Sequence, residues 1–165
     1  MLKVKIQEDL NSALKEKKEL ELSVLRMLLS AINNKETEKK TKIWKEKPEL
    51  SPEKIKKEAE LTDEEIFEVI SSEIKKRREA IEGFEKGGRK ESADKERTES
   101  AILQKYLPAQ LPEEEIKKIV AEAIGKTGAA EMKDMGKVMG AVTPQVKGKA
   151  DMSMVSKIVR ESLMK

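Results

Sequence analysis

Most of the side chains suited to holding a ligand lie in one C-terminal stretch. It reads Met132-Lys133-Asp134-Met135-Gly136-Lys137-Val138-Met139-Gly140-Ala141-Val142 and continues to Lys147-Gly148-Lys149-Ala150-Asp151. From Met135 to Ala150 there is no acidic residue, although acids are frequent elsewhere, and Lys137, Lys147 and Lys149 all fall in this window. Lys147-Gly148-Lys149 comes directly before a helix start, where free amides and the helix dipole favour anions. Phosphate is the natural ligand for such a place, with Gly148 allowing close approach of a backbone. Against this, the Asp151 side chain would compete for the same amides, and short lysine pairs also occur as plain solvated loops. Gly136 and Gly140 stand four apart inside one helix, where each costs about 1 kcal/mol relative to Ala. Tight packing of a second helix on that face is the expected use. Approach of a nucleic-acid backbone is the alternative.

Two further basic clusters stand elsewhere. Lys75-Lys76-Arg77-Arg78 lies within a helical segment, with Glu79 and Glu82 three or four residues on. That spacing predicts a salt-bridged exposed face. The turn Lys86-Gly87-Gly88-Arg89-Lys90 has fewer acids nearby, so Arg89 and Lys90 are candidates for phosphate contact. Six of the eight methionines fall at positions 132, 135, 139, 152, 154 and 164. They are expected to fill the core of a small bundle, the alternative being an adaptable binding surface. No aromatic residue follows Tyr106. Any RNA contact in that region would therefore be to phosphate, ribose and shape rather than by base stacking.

Composition removes whole reaction classes. There is no His and no Cys, hence no Ser-His-Asp triad, thiol nucleophile, imidazole-held metal or disulfide framework. No phosphate-binding glycine loop, paired-carboxylate cleft or metal-ligand cluster is discernible, so neither cofactor nor metal is expected. The apolar run Val138 to Val142 is the longest, far below the roughly 20 residues that span a bilayer. The charged start, Met1-Leu2-Lys3-Val4-Lys5, has no apolar signal core. A cytoplasmic protein without membrane contact is the expectation.

The elements that must position these residues are helices. Charged residues make up 41% of the 165, aromatics 2%, and no strand pattern competes. Ile6, Leu10 and Leu14 mark a helix near 2–16. A second runs from about Glu21 to Lys40, with a polar tail expected to project or fray. Residues 43–61, punctuated by Pro48 and Pro52, read as an irregular or part-helical insertion, with Trp44 as its anchor on the body and an exposed binding Trp as the alternative. Thr62-Asp63-Glu64-Glu65 is a capping box opening a third helix, which Gly87-Gly88 stops. A fourth covers about 90–107. The two prolines of Leu107-Pro108-Ala109-Gln110-Leu111-Pro112 place a domain boundary there. Helices follow from Pro112 to a stop at Gly125-Lys126-Thr127-Gly128, over about 131–143 to Thr143-Pro144, and over about 152–164 with Asp151 as cap. The fold class is thus all-α: an N-terminal four-helix bundle, 1–107, and a C-terminal three-helix domain, 108–165.

The glycine-and-lysine stretch from Met132 to Asp151 resembles the signature of the GatB/YqeY family. The likeness extends to Leu25-Arg26-Met27-Leu28, Glu73-Ile74-Lys75-Lys76-Arg77-Arg78-Glu79, Phe84 to Arg89 and Leu103 to Leu111. The insertion at 43–61 is longer than the family pattern. The resemblance implies a four-helix bundle joined to a three-helix bundle, similar to the helical tail of the GatB component of tRNA-dependent amidotransferase. That enzyme amidates Glu-tRNA(Gln) or Asp-tRNA(Asn), and its tail helps to hold tRNA while the chemistry occurs in other parts. The implied function is a non-catalytic module that binds tRNA or associates with an amidotransferase. One alternative is an accessory factor docking on an amidotransferase or synthetase subunit. The other is carbon–nitrogen ligase activity with glutamine as amido donor, a label that reads as inherited from the larger enzyme.

Overall fold

A computed structural model of the chain describes residues 1–164, and all regular structure there is helical. The chain divides into two compact units, one from Met1 to Tyr106 and the other from Leu107 onward.

The first unit holds α1 (Leu2–Lys15), α2 (Glu19–Glu46), α3 (Pro52–Ala59), α4 (Asp63–Lys86) and α5 (Lys90–Gln104). α1 pairs with α2, and α4 with α5. Ile6, Leu25, Leu28, Ile32, Ile66, Ile70 and Leu103 are fully buried between them. Each such side chain contributes about 1.5–3 kcal/mol by leaving water. The capping box forms as its sequence predicts: Glu65 N donates to Thr62 Oγ1 at 3.2 Å, and Thr62 N to Glu65 Oε2 at 2.8 Å. α4 ends in a Schellman turn, with Gly88 at φ +69° and Arg89 N donating to Phe84 O at 2.8 Å. α1 ends in the same way, but there Lys17 occupies the left-handed position at φ 56°.

Three expectations for this unit need correction. First, α2 does not stop or fray near Lys40; it continues to Glu46 because its polar tail has partners. Glu36 pairs with Lys3 at 2.7 Å, and Lys39 with Glu65 at 2.8 Å. Second, the insertion is largely the helix α3, capped by Ser51 Oγ and packed on α2 through buried Ile55 and Ala59. Those residues anchor it, whereas Trp44 is 60% exposed. Third, the basic cluster on α4 is not simply an exposed ladder. Arg77 is 5% exposed and pairs with Glu73 and Glu99, each at 3.2 Å, so this member of the cluster is buried instead of lying on an exposed face. Lys76 adds a 2.6 Å contact to Glu73 from solvent.

The second unit holds α6 (Glu113–Thr127), a 3₁₀ turn (Met132–Asp134), α7 (Met135–Val146) and α8 (Met152–Leu163). Ile116, Val120, Val138, Val142, Val146, Val155 and Val159 form its core. α6 ends at Gly128, φ +62°, within the expected stop from Gly125 to Gly128. α7 runs through Pro144 to Val146 instead of ending at Thr143. Proline has no N–H to give the carbonyl of Gly140, but Gly140 is exposed and water can serve it.

Candidate functional site

The candidate residues of the second unit are positioned by α7 and the turn after it. Val138, Val142 and Val146 turn inward at four-residue spacing, and this forces Gly136, Lys137 and Gly140 to the outside. A Cβ built on Gly136 or Gly140 would meet nothing within 4 Å. The expected tight packing of a helix on these glycines is therefore overturned within this chain. The face is open, smooth and free of acids.

The turn after α7 is held rigidly. Gly148 is buried at φ +73°, a conformation that L side chains rarely adopt, so the turn itself requires glycine here. Lys149 N donates to Val146 O at 2.9 Å, and Lys149 O accepts Leu111 N at 2.7 Å. Gln110 Nε2 donates to Gly148 O at 3.0 Å and to Pro108 O at 3.1 Å. The Pro-rich segment thus straps the basic turn, leaving Lys147 half-buried and Lys149 exposed. Gln110 escaped the sequence reading, since a lone Gln between two prolines carries no signal of its partner.

The helix start that follows is already occupied. Asp151 Oδ1 accepts Ser153 N at 2.8 Å, so the chain's own carboxylate sits where an anion would bind at α8. At the other end of α7, Lys137 Nζ lies 3.2 Å from Asp134 Oδ1 while Ala130 N donates to Asp134 Oδ2 at 3.3 Å. The Ala130 amide and then the Lys137 ammonium hold this carboxyl below its usual value. Lys137 remains 70% exposed and faces water beyond the pair. Along the α7 axis, Lys137 and Lys147 are separated by about 15 Å, equivalent to roughly four nucleotide steps of one strand.

Arg89 and Lys90 belong to the first unit. Both are exposed in the turn between α4 and α5. The Arg89 guanidinium lies 4.9 Å from the centre of the Phe84 ring, a cation–π contact that fixes its direction. The methionines divide: Met135 and Met139 pack against the core of the second unit, while Met132, Met152, Met154 and Met164 are exposed. Among the described residues no group of three or more carboxylates is arranged to hold a metal, and no helix is long and apolar enough to cross a membrane.

A family model described as Yqey-like protein matches residues 46–163. The chain is also 26% identical over 156 residues to "Altered inheritance of mitochondria protein 41, mitochondrial" from the yeast Vanderwaltozyma polyspora, a match covering 91% of this chain and 75% of that protein. The matched span includes α3 to α8 together with Arg89, Lys90, Gly136, Lys137, Gly140 and residues 147–149, and the chain belongs to the Yqey-like protein family.

Proposed function

We propose that this Yqey-like chain is a non-catalytic helical module that binds tRNA through phosphate and shape, alone or beside a tRNA-dependent amidotransferase. The observation that carries the reading is the open face of α7. It has no acid from Met135 to Ala150, no Cβ at Gly136 or Gly140, and lysines at both ends. A helix face without side chains lets a sugar-phosphate backbone come close, while Lys137, Lys147 and Lys149 neutralise it. Arg89 and Lys90 offer a second phosphate contact from the first unit. A cytoplasmic location is part of this proposal.

Binding of the purified chain to total tRNA, measured from 50 to 300 mM salt, tests it. Affinity falls steeply with salt, and Lys147→Ala with Lys149→Ala reduces the slope by about two, one per lost phosphate contact. A circular dichroism melt checks that the variant stays folded. An unchanged slope in the folded variant removes the residue assignment; no binding at low salt removes the function.

A second reading is favoured by the exposed methionines of the second unit, which suit an adaptable protein interface. It makes the chain an accessory factor on an amidotransferase or synthetase subunit. Recovery of such a subunit from nuclease-treated extract, lost in a Met152→Ser, Met154→Ser variant, distinguishes it. The carbon–nitrogen ligase alternative is decided by assaying amide formation from glutamine on charged tRNA with the chain alone; the proposal expects none.

A further inference from the structure

The end of α2 and the helix α3 form a hairpin with an unusual surface. Between Lys39 and Lys47 five lysines stand against one glutamate. Over the whole hairpin, Lys39 to Glu60, the surplus is three positive charges, equal to the net charge of the entire chain. In the middle of the lysine run stands Trp44, the chain's only Trp, 60% exposed. Lys40 lies one helical turn before it on the same face, and Lys45 is its neighbour. Both are exposed, and neither has an ion-pair partner among the described residues. The Trp44 ring is also uncovered, in contrast to Phe84 with Arg89 above it.

We propose that this hairpin end binds a single-stranded RNA segment, with one unpaired base stacked on Trp44 and the flanking phosphates on Lys40 and Lys45. An exposed aromatic ring set among lysines is the arrangement that binds unpaired nucleotides, because every base has a π-face and the backbone follows the positive charge. A protein partner fits less well, since lysine is depleted in protein interfaces. A lipid surface fits less well too. Inserting helices need a broad apolar face, whereas Ile43 and Leu50 are half-buried here and Ile55 is buried against the body. Trp44 lies outside the residues matched to the family model, 46–163. It adds a base-stacking contact to the first unit without depending on the lysines of α7.

Trp44 supplies its own probe. Titration of the full chain with a ten-nucleotide oligoadenylate at 50 mM salt is expected to quench the Trp44 fluorescence, and added salt to reverse it. With a labelled oligonucleotide read by anisotropy, Trp44→Ala weakens binding by about 5- to 150-fold, the range that loss of one stacked base converts to. Trp44→Phe retains most of the affinity. Absence of quenching, unchanged affinity in Trp44→Ala, or equal quenching by a duplex of the same length each overturns the proposal. So does a blue shift with anionic phosphatidylserine vesicles in place of quenching by RNA, which would assign the hairpin to a lipid surface. If tRNA binds and depends on Lys147 and Lys149 while Trp44 is silent, this inference alone fails. If the oligonucleotide quenches Trp44 while Lys147→Ala with Lys149→Ala leaves tRNA binding unchanged, the α7 assignment alone fails.

Discussion

Replacing Arg77 with Met should be among the most damaging single changes in the first unit. The Arg77 side chain is 6% exposed, and those of Glu73 and Glu99 are each 12% exposed. Removing the guanidinium leaves two carboxylates out of water with their shared cation gone. Uncompensated buried charge of this kind costs about 3–5 kcal/mol. The lower half of that range applies because Lys76, 2.6 Å from Glu73, still serves one of the two acids. Lys76 is itself 68% exposed, so its own removal should cost below about 1 kcal/mol. With a urea m-value of about 1–1.5 kcal/mol/M for a unit of this size, Arg77→Met lowers the midpoint by roughly 2–4 M. The two units can unfold separately, so far-UV circular dichroism should be followed together with Trp44 fluorescence, which reports only the first. The triple variant Glu73→Leu, Arg77→Met, Glu99→Leu tests the cause. Once no charge is stranded, it should return to within about 2 kcal/mol of the parent. A midpoint shift under about 0.5 M in Arg77→Met, or a triple variant as unstable as the single, would refute the reasoning.

Tyr106 gives the pH dependence. Burial, and then the hydrogen bond its hydroxyl donates to Asp9 Oδ2 at 2.7 Å, hold the phenol well above its usual value. The unfolded chain loses this proton above about pH 10 while the native one keeps it. The contribution is therefore complete below pH 10 and is lost at up to about 1.4 kcal/mol per pH unit above it; Tyr106→Phe should remove that part of the slope in urea melts at pH 9 to 11.5. Gly140→Ala is expected to stabilise the second unit by about 1 kcal/mol, because its Cβ enters open space on a helix; a loss of tRNA affinity in the stabilised variant would identify the bare face as a contact. Lys17→Gly should raise the thermal midpoint of the first unit, since it relieves φ 56° at a helix end, by about 0.5–1 kcal/mol in stability.

What the sequence made legible was whatever is encoded locally. The capping box at Thr62 and Glu65, the glycine stop at Gly88 and the Asp151 cap are written in residues next to one another, and each forms as its pattern predicts. Errors arose where a distant partner decides. The polar tail of α2 is helical because Lys3 and Glu65, both distant in sequence, pair with it and α3 packs back on it. Arg77 is buried because Glu99 on the next helix joins its i−4 neighbour Glu73 around it. The glycines at 136 and 140 were expected to face a packing partner, but the phase of Val138, Val142 and Val146 turns them outward. That phase was readable from the sequence. Counting the apolar residues as a stripe would have predicted it, where the glycine spacing alone misled.

Net charge, at +3, hides how this surface is organised. Many of the charged residues are committed to pairs within a helix, such as Lys117 with Glu113 and Lys126 with Glu122. Pairs of this exposed kind contribute little stability and little field. Unbalanced charge accumulates in only a few places, and two of them coincide with features that packing does not explain. On α7 the surplus lies along glycines with nothing against them; on the α2–α3 hairpin it surrounds a Trp that nothing covers. Gly in a helix interior and an exposed Trp are each unfavourable for the isolated fold. Binding of RNA at each place, as proposed, would account for charge and exposure together, which neither packing nor solubility does.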